Sequence, residues 1–225
     1  MGLDLYVGSL TRYHVGDWLT IVQQAGLLTD PTVEINKIID PDAVLQNVLR
    51  WQSALGEALR RQVDWPEDDG LPYWTDRPGK DGYGAVVLLA AYDEQPAHRP
   101  VGDDRPRAYG NAHAVAVAAE KPARYPSLLR GVEWWLPISG GPAVFQAPRP
   151  TGQRTMMGCV DHLSAELRLL GQRLGLTADD LALARKAGHP GEDATVAEAG
   201  RFGLAVMLEL ATIAEDHRQP LLMDY

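Results

Sequence analysis

The run Ala85-Val86-Val87-Leu88-Leu89-Ala90-Ala91-Tyr92 has no polar side. A segment without a polar face has to be covered all round, so it belongs in an interior, either as a buried strand or as a buried helix. Its β-branched start favours a strand and its alanines favour a helix, and periodicity does not separate the two. It is the longest uncharged apolar run in the chain and far too short to cross a bilayer, so it predicts a globular core and no membrane association. A chain of 225 residues can bury about 70% of its surface, enough for that core without disulfide or metal staples.

The elements around this run read as one α+β domain over residues 1–225, with a small mixed or antiparallel sheet and a helical C-terminal third. Leu3, Leu5 and Val7 alternate with Asp4 and Tyr6, which predicts a strand, and Thr32 to Asn36 alternates in the same way. A helix is expected from Asp17 to about Ala25. The clearest helix opens at Asp40-Pro41, an N-cap followed by a proline at the first helical position. Val44, Val48, Trp51, Leu55 and Leu59 give it one apolar stripe, and it should stop near Asp64, before Pro66. Residues 65–84 read as one long loop, a feature that is often functional. Gln95 to Gly110 reads as a polar surface excursion. Val132 to Leu136 predicts a strand stopped by Pro137, with one of its tryptophans in the core and the other a cover or a contact. A turn at Gly140-Gly141-Pro142 should lead to a short strand over Ala143 to Gln146. Helices then follow over Val160–Leu174, from Thr177 to Gly188, and from Thr195 to about His217, and the tail Leu221-Leu222-Met223 is apolar enough to dock.

Charge narrows the partners. Thirty acidic residues against 21 basic ones give a formal net charge of −9, and the four lysines (Lys37, Lys80, Lys121 and Lys186) are not clustered. Nucleic acid is therefore not an expected ligand, whereas a basic protein would be attracted by long-range steering. The single cysteine, Cys159, cannot form an internal disulfide, and the opening residues lack the basic and long apolar regions of a signal peptide. A cytoplasmic location is expected. No Walker, Gly-x-Gly-x-x-Gly or Gly-x-Ser-x-Gly pattern is present, so no cofactor is implied.

Three groups of residues could carry chemistry. Cys159 precedes a predicted helix whose N-terminus would stabilise a thiolate, with His162, His189 and His217 and with Asp161 and Asp193 as candidate partners. The bland reading, a small buried hydrophobe, weighs more. Cys159 and His162 sit one helical turn apart, but no second pair has ligand spacing, so no metal site is expected. The second group is Asp4, Tyr6, Tyr13, His14, Asp17 and Trp18, in which an Asp4–His14 pair beside a tyrosine could do acid–base work. The simpler alternative has Asp4 satisfying amides, Tyr6 packing and His14 exposed. The third is an aromatic, acidic segment with Trp65, Tyr73, Trp74 and Tyr83 among Glu67, Asp68, Asp69, Asp76 and Asp81. These rings are either interface anchors or pins for a long loop. If they are anchors, Trp74→Ala with Asp76→Ala should leave stability nearly unchanged. The stretch Thr151 to Thr155 is expected to precede a helix, where it could receive an anion.

The opening Met1-Gly2-Leu3-Asp4-Leu5-Tyr6-Val7-Gly8 with Leu10-Thr11-Arg12-Tyr13 resembles that of an uncharacterised bacterial protein family. Tyr73-Trp74-Thr75-Asp76 and Val132-Glu133-Trp134-Trp135-Leu136-Pro137 are similar to later parts of the same group. The resemblance brings no activity. By analogy of class alone, an acidic, motif-poor bacterial protein is similar to the immunity partners of secreted toxins. The expectation is a non-enzymatic protein-binding module, an immunity-type protein that neutralises a basic toxin, with Trp65, Tyr73, Trp74, Asp76, Asp81 and Tyr83 as its contact residues. The alternatives are a small hydrolase or transferase using Cys159 or the Asp4/His14 group, and a small-ligand or glycan binder.

Overall fold

The computed structural model describes residues 3–27, 40–100, 109, 112–191 and 193–224. Six strands form one mixed sheet: β1 (Asp4–Val7), β2 (Trp74–Asp76), β3 (Trp134–Leu136), β4 (Phe145–Pro148), β5 (Arg154–Cys159) and β6 (Leu221–Asp224), in the order β2-β1-β6-β3-β5-β4. Only β3 and β5 run parallel; every other neighbouring pair is antiparallel. The apolar tail does dock, as an inner strand between β1 and β3. The fold is α+β with a helical C-terminal region, as the sequence suggested.

Register explains the layering. Thr75, Tyr6, Leu222, Trp134, Met157 and Phe145 stand in one cross-strand row. This row faces a core that also holds Leu10, Val48, Trp51, Leu55 and Trp65. Those residues come from α1 (Leu10–Val15), α3 (Pro41–Leu59) and the segment after it. The next row, Trp74, Val7, Leu221, Trp135 and Gly158, faces the opposite way, towards the larger core. That core is built by α4 (Gly79–Glu94), α5 (His113–Glu120), α6 (Pro126–Leu129), α7 (Val160–Arg173) and α9 (Val196–His217). Because helices cover both faces of the sheet, Trp134 and Trp135 are both fully buried. The expectation that one of them would act as a cover or contact is thereby corrected.

The ambiguous run Ala85–Tyr92 is helix. It lies within α4, which is buried from Gly82 to Tyr92, and so shows no amphipathic period. Its contact with α9 is unusually close. A methyl group on Gly203 would come within 2.6 Å of the Gly82 carbonyl carbon, and one on Gly200 would run into Leu89. Glycine lets the two backbones approach this nearly.

Several boundaries differ from expectation for identifiable reasons. Residues 65–84 are not one loop: β2 and the first turns of α4 lie within them, so Asp81 and Tyr83 are helical. In place of a helix over 17–25, α1 ends at Gly16, whose φ of 78° is left-handed, and α2 (Ile21–Leu27) begins after a break. Helix α3 stops at Leu59 because Arg60 turns left-handed (φ 53°), before Pro66 can act. The expected strand over Ala143 to Gln146 falls instead on Phe145–Pro148, and Thr151 to Thr155 leads into β5 and not into a helix, which removes the anion-site reading. The expected strand over Thr32 to Asn36, like most of Gln95 to Gly110, lies outside the described residues. The three C-terminal helices fall where caps and stops put them. Helix α8 (Ala178–Ala187) and α9 each open with a capping box, from Thr177 and Thr195.

Candidate functional site

Helix α1 and the elbow that follows it bring together most of the unusual chemistry. Ser9 caps α1 by accepting from the Arg12 amide. The Glu67 carboxylate, reaching in from the segment after α3, accepts from the amides of Leu10 and Thr11, the Thr11 hydroxyl and the Trp65 indole. An acidic side chain at this end of a helix complements the positive end of its dipole. Burial pushes the Glu67 carboxyl above its usual range, against those hydrogen bonds. Trp65 and Glu67 therefore hold α1 in place, and Trp65 is buried. Beyond Gly16, the Trp18 indole donates to the Tyr13 carbonyl at 3.3 Å and the Leu19 amide to the Tyr73 hydroxyl at 3.3 Å, fixing the elbow.

The outcome is an aromatic cluster with one buried and several half-buried rings. Tyr6 is fully buried, with its hydroxyl donating to the Ser9 carbonyl, and it packs on Tyr13, Trp18 and Tyr73 at centroid distances of 5.3, 4.9 and 6.1 Å. Tyr13 and Trp18 stack at 5.5 Å, and the Arg12 guanidinium lies 5.0 Å from the centre of the Tyr73 ring. Ile21 and Val22, at the start of α2 three and four residues after Trp18, are 38% and 52% exposed.

Beneath the cluster, one end of the sheet is polar. Asp4 and Asp224 are cross-strand partners on β1 and β6. The Arg77 guanidinium grips Asp4 with two donors at 2.9 and 2.7 Å, while Asp224 accepts from the Tyr13 hydroxyl at 2.8 Å. Burial first, and the Asp224 carboxylate second, raise the Tyr13 phenol well above its usual range. Further along, Glu133 accepts from Arg149 and from the Thr155 hydroxyl, and the Arg149 guanidinium lies 4.9 Å from the centre of the Trp134 ring. His14 sits between these groups, half-buried and not exposed, 6.1 Å from Trp134. Its Nε2 is buried without a hydrogen-bond partner among the described residues. Burial first, and the Arg149 charge second, pull its pKa down to about 4, so the imidazole is neutral at pH 7. A pocket of about 290 Å³ opens beside it, walled by Val44, Asn47 and Val48 of α3 and by Pro150 and Thr151.

The sequence-derived candidates are thus partly gathered and partly dispersed. Asp4 is held by Arg77 and His14 faces Trp134 and Arg149, while Tyr13 links α1 to the sheet through Asp224. Asp224, Arg149, Glu133 and Arg77 were not singled out by sequence, and neither were Ile21 and Val22. Tyr73 belongs to the α1 cluster, but Trp74 points to the other side of the sheet, packed on the larger core and against the tilted His217 ring at 4.4 Å. Asp76 is paired with Arg185, and Tyr83 is buried in α4. Trp65 and Tyr73 thus pack on one face of the sheet and Trp74 and Tyr83 on the other, so the six expected contact residues do not form one surface. Trp74→Ala with Asp76→Ala removes core packing and an ion pair, so that double variant should lose stability, contrary to the sequence-based expectation.

Cys159 is the N-cap of α7 and is wholly buried, its thiol donating to the Pro142 carbonyl at 3.3 Å. Burial, and next the Asp161 charge, push it up to about 12, the opposite of an activated thiolate. Of its candidate partners, His162 contacts the Gly141 carbonyl and Asp161 accepts from the Gly140 amide, so both tie down the turn before β4. His189 packs on Phe202 and His217 on Trp74. Among the described residues no group of three or more His, Cys, Asp or Glu side chains is placed to hold a metal ion. No helix among them is long and apolar enough to cross a membrane. Comparison of the chain with protein-family models, with curated proteins and with solved structures found no match.

Proposed function

We propose that the protein acts by binding another protein through the α1–α2 surface. The observation that carries this reading is the half-buried cluster of Tyr13, Trp18, Tyr73 and Arg12, followed along the chain by exposed Ile21 and Val22. Stiff aromatic rings and arginine are the side chains that dominate protein interfaces, and an apolar neighbour extends the contact. The formal charge of −9 favours a basic partner through faster, salt-sensitive encounter. An immunity-type role, in which binding occludes a basic toxin, is one form of this reading and rests on analogy of class.

The test is the double variant Ile21→Asp with Val22→Asp, compared with wild type in affinity capture from the native cell. Both side chains are exposed, so melting temperature should stay nearly unchanged, while a partner retained by wild type should be lost. Undiminished retention of that partner would remove α1–α2 as the contact surface. A second reading, a small-ligand binder, is favoured by the pocket beside His14 and its unpartnered nitrogen. It predicts a thermal shift with small single-ring compounds that disappears when Ala43→Trp, at an exposed position on the pocket wall, fills the pocket.

A further inference from the structure

Helix α8 is anomalous in this fold. It lies against α9, yet it buries none of its own side chains. Leu183 at its middle is 68% exposed, more than any other large hydrophobic residue among those described. A ten-residue helix has little intrinsic stability, so an unprotected leucine at its centre is a poor choice for a surface that meets only water.

The pattern of exposed residues on α8 is self-complementary. Ala178, Asp179, Ala182, Leu183, Lys186 and Ala187 are the exposed positions. If a second α8 is laid antiparallel with its centre between residues 182 and 183, Ala178 meets Ala187, Asp179 meets Lys186, and Ala182 meets Leu183. Each exposed position then faces another exposed position, and each charge faces its opposite twice over. Among the described residues, neither Asp179 nor Lys186 has an ion pair, hydrogen bond or other electrostatic partner for its side chain. The cation next to Lys186, Arg185, is already committed to Asp76 and Glu209. Alanines at the remaining positions let two helices approach closely. Beside Ala182 a groove of about 430 Å³ runs between α8 and α9, floored by Leu208 and Ile213, with room for the leucine of a facing helix.

We propose that α8 is a homodimer contact: two copies of this chain pair antiparallel through α8 about a two-fold axis, each Leu183 seating beside the Ala182 of the other copy. An isologous contact needs this kind of self-complementary patch. Ten residues of helix span about 15 Å, so the area buried falls below that of a standard interface and the dimer is weak, with a dissociation constant in the range of roughly 10 μM to 1 mM. This face is distinct from the α1–α2 surface, so the two readings stand or fall separately.

Sedimentation velocity of the full chain, from about 10 μM to about 1 mM, reads the association directly. Wild type should shift from monomer towards dimer with rising concentration, less so in high salt. Asp179→Lys alone and Lys186→Asp alone should each weaken association roughly tenfold, because two attractive pairs become repulsive. The double charge reversal should restore it to within about threefold of wild type, since the opposite charges again face each other. Leu183→Asp should abolish it, with unchanged far-ultraviolet circular dichroism showing that the fold is intact. A wild type that stays monomeric throughout overturns the proposal. So does a dimer indifferent to Asp179→Lys and Leu183→Asp, or a double reversal that fails to restore pairing.

Discussion

Helix α6 begins at Pro126, which has no amide hydrogen, behind Tyr125, which offers no side-chain cap. Its next amides, Ser127 and Leu128, would be left bare in the core were it not for Glu166 on α7. That carboxylate is 5% exposed and accepts from the Ser127 amide at 3.0 Å, the Ser127 hydroxyl at 2.9 Å and the Leu128 amide at 3.1 Å. Glu166→Ala strands three buried donors at about 1–3 kcal/mol each, partly offset because a buried carboxylate no longer has to be desolvated, for a net loss of about 3 kcal/mol. At about 2–4 °C per kcal/mol for a chain of this size, the melting temperature should fall by roughly 6–12 °C in scanning calorimetry. A second consequence concerns pH. Burial pushes Glu166 from its ordinary 4.5 up to about 7, against the pull of its hydrogen bonds and of His162. Between those values the native state keeps a proton that the unfolded chain has released. The resulting stabilisation is complete below about pH 4.5 and is lost as pH rises through 7, with a ceiling of about 3 kcal/mol. Glu166→Gln cannot titrate, so wild type should lose its advantage over this variant as pH is raised from 4.5 to 7 in urea unfolding. A fall of under about 2 °C for Glu166→Ala would refute the capping role. A stability difference between wild type and Glu166→Gln that ignores pH would refute the raised carboxyl.

Two further outcomes follow from the packing. Gly203→Ala drives a methyl into the Gly82 backbone, where no flexible side chain can yield. It should destabilise by about 3 kcal/mol and lower the melting temperature by roughly 6–12 °C, and a change within about 2 °C would show that α4 and α9 are not so close. Cys159 should resist iodoacetamide at pH 8 in the native protein and react at once in denaturant, read by intact mass. Rapid native labelling would mean that the thiol is neither buried nor raised.

Local signals in the sequence carried the elements whose boundaries depend on local chemistry. Thr177, Thr195 and Asp40 cap α8, α9 and α3 where such residues should, and Gly175 and Gly188 follow the ends of α7 and α8. The failures have a common origin in contacts between distant residues. Pro78, Gly79, Gly82 and Gly84 read as loop punctuation, but Gly82 is there so that α9 can approach. Trp134 and Trp135 invited a one-sided sheet because nothing local reveals that α3 lies on the second face. The neighbourhood of Tyr13, His14 and Trp18 was visible from their closeness in sequence. Asp224 lies 211 positions from the Tyr13 hydroxyl it accepts from, a separation that no periodicity spans.

The layering also constrains where function can reside. Both sheet faces are sealed by helices, and the parallel pair β3 and β5, whose carboxyl ends are a usual ligand crevice, ends at a buried Cys159 with a raised thiol. The turn that follows β3 is fastened to α7 by Asp161 and His162, which occupies those side chains with architecture. Unspent chemistry is therefore found at the periphery. Large exposed apolar side chains among the described residues are confined to Ile21, Val22, Leu49 and Leu183, on α2, α3 and α8. Those on α2 adjoin the only site where aromatic rings, a guanidinium and a neutral, unpartnered imidazole converge among the described residues, and Leu183 stands on a helix with no buried side chains. Because three of these four side chains stand on α2 and α8, the proposed recognition is tested first by perturbing the α1–α2 and α8 faces, before the buried thiol.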